Sequence, residues 1–218
     1  MKKKKGQNIR ISENDKFEDF FGIESTEVVY NNRYNDEYYR YEPTSYSGLI
    51  CAFDALMDVI SKHDRLVDFG CGKGRVLFYV NQRFQCEVCG IEIDESVYEQ
   101  ALENRTYYNT RFKDSMNRIE LLNGKAEEYE IHPEDTIFYF FNPFALSVFK
   151  KVIDHIMESV EQHPRKIYIM MYYPKEDYRK YLQQHKFLLY RMVKLPDYAR
   201  DWNEKVVIYE LGHAPLDI

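Results

Sequence analysis

Leu66-Val67-Asp68-Phe69-Gly70-Cys71-Gly72-Lys73-Gly74-Arg75-Val76 is the stretch that decides the fold. A short apolar run of Leu66, Val67 and Phe69 ends in three glycines at alternate positions, and a helical pattern begins at Arg75-Val76-Leu77-Phe78-Tyr79-Val80. Strand, glycine turn and helix form the first β-α step of a nucleotide-binding half-sheet, whose ligand lies at the carboxyl edge of the strands. Glycine is needed there because the backbone turns tightly and a ligand must lie directly on the main chain.

The glycine spacing separates the possible ligands. A dinucleotide fingerprint reads G-x-G-x-x-G. Gly70 and Gly72 fit it, but the third position falls on Arg75, with Gly74 one residue early. This argues against a NAD-dependent reductase, and no Walker-type G-K-S/T follows. The row acidic-x-Gly-x-Gly-x-Gly resembles motif I of class I S-adenosylmethionine methyltransferases. A glycine turn inside some other α/β sheet is the competing reading of this motif by itself. The resemblance implies that Gly70, Cys71, Gly72 and Gly74 approach the amino-acid and ribose parts of the ligand. It also implies that Asp68 helps to hold the ammonium group.

A second strand is expected over Cys86 to Ile91, within Gly90-Ile91-Glu92-Ile93-Asp94. A carboxylate at the end of the second strand, about 20 residues beyond the glycine loop, can accept both ribose hydroxyls. Glu92 has that position, with Ile93 beside it, and Asp94 reads as the cap of a helix from Glu95 to about Tyr108. Ile119 to Asn123 reads as a third strand, followed by Gly124-Lys125-Ala126-Glu127. The family usually has Gly-Asp-Ala here, the acid meeting the adenine amino group and the next amide the ring. Lys125 replaces that acid, so either Glu127 takes over or the backbone at Ala126 holds the adenine alone.

Thr136 to Phe141 is a nearly continuous apolar run, which suits a strand covered on both faces. Asn142-Pro143-Phe144 follows, and proline ends the pairing because it cannot donate to the ladder. The segment resembles the Asn/Asp-Pro-Pro-Tyr/Phe motif of amino methyltransferases acting on adenine, cytosine or glutamine. With Ala145 it also resembles the Asn-x-Ala segment of non-SET histone lysine methyltransferases. The first likeness implies that Asn142 and the Pro143 carbonyl orient a target amine while Phe144 stacks on it. One proline stands where the base-modifying motif usually has two, and a plain strand-ending turn is the alternative.

Before the glycine loop, a helix is expected over Ser47 to Lys62, capped by Ser45 or Ser47. Its stripe is Leu49, Ile50, Phe53, Leu56, Met57 and Ile60. The preceding Thr44-Ser45-Tyr46 resembles the lysine enzymes again, where the corresponding loop closes over the ligand; this implies cofactor contacts for Tyr41 and Thr44. Tyr30, Tyr34, Tyr38, Tyr39 and Tyr41 crowd the interval upstream. They read either as rings packed on the edge of the core or as a lid over the acceptor, since aromatic faces attract cationic amines.

The rest completes an α/β, doubly wound, seven-stranded, mostly parallel sheet with an antiparallel last strand. A helix stripe runs from Leu146 to Val160, a strand from Lys166 to Tyr173, a short helix from Asp177 to His185, and strands over Phe187 to Leu195 and Lys205 to Leu211. Residues 1–45 are expected to form a Tyr-rich extension or lid, and 46–218 the S-adenosylmethionine domain.

The chain has 218 residues, 20 of them tyrosine, and a net charge of -6, which argues against a broad polyanion-binding face. The lysine run Lys2 to Lys5 reads as a solvated terminus, although it is the feature that favours nucleic acid. No apolar run approaches the ~20 residues of a membrane span, and no apolar segment follows the lysines, so a cytoplasmic protein without a membrane partner is expected. Cys86-Glu87-Val88-Cys89 has metal or redox spacing, but there is one such pair and it lies in a strand, where residues three apart face opposite ways. No metal site is expected.

Three functions follow. The leading one transfers a methyl group from S-adenosylmethionine to an amine of a protein side chain or small molecule, leaving S-adenosylhomocysteine. The others are a nucleic-acid adenine or cytosine amino methyltransferase and a non-enzymatic S-adenosylmethionine effector.

Overall fold

The strand that carries the glycine turn, β1 (Arg65–Phe69), is buried along its whole length. The computed structural model describes residues 12–28, 37–39, 41–115 and 117–212. Six more strands follow: β2 (Glu87–Glu92), β3 (Ile119–Asn123), β4 (Asp135–Phe140), β5 (Ile167–Tyr172), β6 (Leu188–Lys194) and β7 (Lys205–Leu211). Their spatial order is β3-β2-β1-β4-β5-β7-β6. Strands β1 to β5 pair in parallel, and β7 runs antiparallel to β5 and β6. From β1 the chain winds outward to β2 and β3, then returns to β4 on the other side. A crevice therefore opens at the carboxyl ends of β1 and β4, where the winding reverses.

The period-two alternation of the central strands builds two cores. Ile137 and Tyr139 of β4 join one cluster with Leu66, Val88 and Met170. Phe138 and Phe140 join the other with Val67, Phe69 and Ile169. The first face is covered by α1 (Glu13–Phe21), α2 (Tyr46–Asp54), α3 (Arg75–Phe84) and α4 (Glu95–Arg111); the second by α5 (Leu146–Gln162) and α6 (Glu176–Gln184). In α5 the buried residues Val148, Phe149, Val152, Ile153 and Ile156 keep helical spacing. Each large side chain withdrawn from water contributes about 1.5–3 kcal/mol. Between β3 and β4 a single turn, Ala126–Glu128, replaces a helix, and Ala126, Tyr129 and Ile131 cover the second face there.

Most expected elements hold to within a residue or so, with two differences. The helix expected to reach Lys62 ends at Asp54. The Ala55 carbonyl accepts the Arg191 guanidinium from β6, and the Val59 amide turns to Leu56 at 2.9 Å instead. Leu56 and Ile60 stay buried without a helix. Second, the weakly periodic extension contains α1. Ser12 and Asp15 cap it reciprocally, at 2.9 and 3.1 Å, and Gly22 ends it in the left-handed region. The Phe17 ring stacks on Tyr46 at 4.5 Å, and Phe21 packs against Tyr108 and Phe112. Tyr30, Tyr34 and the lysine run lie outside the described residues.

Cys86 packs into the first core and Cys89 into the second, so the pair faces opposite sides of the sheet. Among the described residues, no helix is long and apolar enough to cross a membrane.

Candidate active site

The crevice holds a cavity of about 450 Å³, lined from the carboxyl ends of β1, β2, β4 and β5, from Tyr38 and Tyr39 and from residues 41–44. At the end of β1 the backbone turns through Gly70 (φ +82°) and Gly72 (φ +56°), a region that L side chains avoid. Space enforces the same choice. A Cβ on Gly70 would lie 2.7 Å from the Pro143 ring, and one on Gly72 would lie 2.1 Å from the Tyr41 ring. The glycine loop is thus sandwiched between the loop after β4 and the extension.

Glu92 ends β2 and is 6% exposed. One carboxylate oxygen accepts the Gly72 amide and the other the Asp94 amide, both at 2.9 Å. These bonds aim the group into the cavity, and each oxygen keeps a further lone pair. Burial pushes Glu92 from its ordinary 4.5 up to about 7, although the Asp94 and Gly72 amides pull it down. Asp68 is 2% exposed and lines the cavity, and its carboxylate accepts no hydrogen bond among the described residues. Burial, then the neighbouring Glu92 charge, holds its carboxyl well above the usual range. A buried carboxylate without a donor is costly unless a cation completes it. Asp94 caps α4, accepting the Ser96 amide at 2.9 Å.

The donor set fits the ligand implied by the motif. Asp68 suits an ammonium group, and the two oxygens of Glu92 suit a vicinal diol. At the adenine end, Gly124 and Ala126 line the cavity, but Glu127 does not. Its carboxylate accepts the Tyr38 hydroxyl and lies 3.8 Å from the Lys151 ammonium. Gly72 and Gly74 shape the loop from behind, while Tyr41, Thr44, Asp68, Gly70, Cys71, Glu92, Ile93 and Asn142 all reach the wall.

Beyond β4, Asn142 lies in the left-handed region at φ +44°, which asparagine tolerates better than most residues. Pro143 and Phe144 line the cavity too, and both are engaged by the extension. The Pro143 carbonyl already accepts the Tyr39 amide at 3.1 Å, and Tyr38 bridges Phe144 as a short added strand. Phe144 is fully buried, and its ring meets Tyr38 and Phe140 edge-to-face, which braces the loop. The aromatic wall comes from Tyr39, Phe141 and Tyr173.

Several lining residues carried no decisive sequence signal. Tyr139 shares a 3.2 Å hydrogen bond with the Thr44 hydroxyl. Arg75, which stands where the dinucleotide fingerprint has its third glycine, donates to the Thr44 carbonyl at 2.8 Å. At the mouth, Tyr173 (φ +51°) donates its hydroxyl to Asp201, and Glu42 and Glu204 stand beside them. Burial, then the Asp197, Asp201 and Glu42 charges, raises the Glu204 carboxyl. The pairing of β5 with β7 brings the connection before β7, with Asp201 and Glu204, to the cavity.

A family model described as a methyltransferase domain matches residues 66–163. No curated protein sequence matches the chain. Among solved structures, the chain is similar to an RNA methyltransferase from Salinibacter ruber in complex with S-adenosylhomocysteine, at 18% identity over 81% of this chain and 98% of that one, TM-score 0.52. A SAM-dependent methyltransferase from Thiobacillus denitrificans, also with S-adenosylhomocysteine, matches at 12% identity over 79% and 93%, TM-score 0.54. Geranyl diphosphate C-methyltransferase from Streptomyces coelicolor matches at 10% identity over 74% and 78%, TM-score 0.50. At these identities the likeness shows the fold.

Proposed function

We propose that the chain is a class I, Rossmann-like methyltransferase that uses S-adenosylmethionine, a reading supported by the methyltransferase-domain match over residues 66–163, and that its acceptor is the nitrogen of a cationic amine, in a protein side chain or a small molecule. The observation that carries this reading is that Glu42, Asp201 and Glu204 line the cavity together with Phe141 and Tyr173. Carboxylates draw a protonated amine in, and aromatic faces hold a cation. Phosphate would meet the same carboxylates as like charge.

When bound, S-adenosylmethionine supplies a methyl group already activated on a sulfonium, so the protein needs no covalent catalyst. Its tasks are alignment and exclusion of water. Asp68 holds the ammonium end and Glu92 the ribose. Asn142 orients the acceptor nitrogen through its side-chain carbonyl. Before transfer the ammonium passes its proton to bulk water at the open end of the cavity, which frees the nitrogen lone pair that Asn142 orients. Tyr38 and Tyr39, fastened to the loop after β4, close the site on the acceptor side. This makes the N-terminal extension part of the working enzyme, with 46–218 as its S-adenosylmethionine domain.

A base amino group is the second reading. It is favoured by Asn142-Pro143 and by the RNA methyltransferase among the structural neighbours. The test is transfer of labelled methyl into a cell extract resolved into protein, nucleic acid and small molecules, with Asn142→Ala and Gly72→Arg as controls. Label in protein or in basic small molecules is expected. Label confined to nucleic acid would replace the amine reading with the base reading.

A further inference from the structure

Arg75 begins α3 directly behind the glycine loop and is 3% exposed. Its guanidinium directs its donors to the N-terminal segment. Nε donates to Ser25 Oγ at 2.8 Å, Nη1 to the Thr44 carbonyl at 2.8 Å, and Nη2 to Thr26 Oγ1 at 3.1 Å and Glu18 Oε1 at 3.2 Å. The Tyr46 ring lies 4.6 Å from the guanidinium carbon. Glu18 also accepts the Ser25 hydroxyl at 2.6 Å, the Ser25 amide, and the Tyr46 hydroxyl at 2.9 Å. The Ser25 carbonyl in turn accepts the Tyr41 hydroxyl at 2.5 Å. One planar, five-donor fork thus ties residues 18–26 and 41–46 to the glycine loop, a task lysine cannot perform.

We propose that Arg75 is a positioning residue for the cofactor, coupling the docking of residues 18–26 and 41–46 to occupancy of the cavity. Arg75, Tyr41 and Thr44 all reach the cavity wall beside Gly70 and Glu92. A molecule resting on both the loop and the segment binds better when the segment is docked. By linkage, it holds the segment down by the same factor. A network that merely stabilised the fold would act equally with and without the ligand.

The test needs no acceptor, so it stands apart from the amine reading. Removing the guanidinium outright would strand Glu18, so the variant is Arg75→Lys, which keeps the charge and loses the fork. In calorimetry its Kd for S-adenosylhomocysteine is expected to rise about tenfold, a usual size for coupling between sites. In the wild type, S-adenosylhomocysteine is expected to slow amide hydrogen exchange across 18–26 and 41–46, and in Arg75→Lys that slowing should largely vanish. An unchanged Kd, or equal ligand-dependent protection in both proteins, overturns the proposal. Should Arg75→Lys fail to fold, Tyr41→Phe keeps the ion pair and breaks the link to Ser25. It must then weaken binding and reduce the protection of 41–46, and normal values for both would overturn the idea.

Discussion

The ring of Tyr41 occupies the space that a side chain on Gly72 would need: a Cβ there would lie 2.1 Å from the ring's Cε2 atom. The middle glycine of the loop is therefore fixed by two things at once, its left-handed backbone and a tyrosine that arrives from the extension. Their fit joins two parts of the chain 31 positions apart.

Gly72→Ala is expected to lose more than about tenfold in affinity for S-adenosylhomocysteine, because the methyl displaces Tyr41 and left-handed alanine costs about 1–2 kcal/mol. In a Tyr41→Ala background the same substitution should do less harm. Calorimetry on the four proteins of this cycle measures the coupling. Strict additivity would mean that the two residues do not compete for space.

Asn142 invites a paired substitution. Asn142→Gly keeps the left-handed backbone and removes the amide, whereas Asn142→Ala removes both comforts. Turnover should fall on the order of 10²-fold in each, as expected when an acceptor loses its alignment. Alanine alone should lower Tm further, by about 2–4 °C for ~1 kcal/mol of backbone strain. If glycine restores turnover, Asn142 acts through its backbone, and the orienting role is gone.

The carboxylates at the mouth should act on the acceptor and leave the cofactor alone. Asp201→Asn with Glu204→Gln is expected to raise KM for a cationic acceptor about five- to tenfold at low salt, with the gap closing as salt screens the field. The Kd of S-adenosylhomocysteine should stay within about twofold. Steady-state kinetics across a salt series decides between this and a purely structural mouth.

Binding should also depend on pH. Burial raises the Glu92 carboxyl to about 7 and holds Asp68 higher than usual, so the empty site favours the protonated forms. For the unliganded protein, these groups contribute stability at low pH that is lost as pH rises through about 7. An ammonium group and ribose hydroxyls favour the ionised forms, so binding releases protons. Affinity should weaken about tenfold for each pH unit below 7 per proton released. Calorimetry in buffers of different ionisation heat counts those protons; a count of zero would remove Glu92 and Asp68 from the contact set.

What the sequence disclosed was set by range. Asp68, Gly70, Gly72 and Glu92 stand in local patterns whose chemistry depends on spacing along the chain, and all four were legible. Phe144 stands in its motif as well, but its burial is a property of the packed loop, where Tyr38 and Phe140 meet its ring. Helix α2 lost its second half to Arg191, which lies far along the chain. Arg75 showed what it was not, yet its partners Glu18, Ser25 and Thr44 come from a segment with little periodicity. Asp201 and Glu204 reach the cavity because β7 returns beside β5, a pairing that no local pattern announces.

Asn142 and Tyr173 end neighbouring strands in the left-handed region, and both face the cavity. Selection for heat resistance alone would not protect them. Glycine at either position relaxes the backbone while erasing a side chain from the working wall. A library screened for survival and blind to turnover would drift toward robust, inactive chains at these two sites first. Engineering of this protein is safest when it leaves the ends of β4 and β5 untouched and seeks stability at the opposite rim of the sheet, around Arg65 and Asp135.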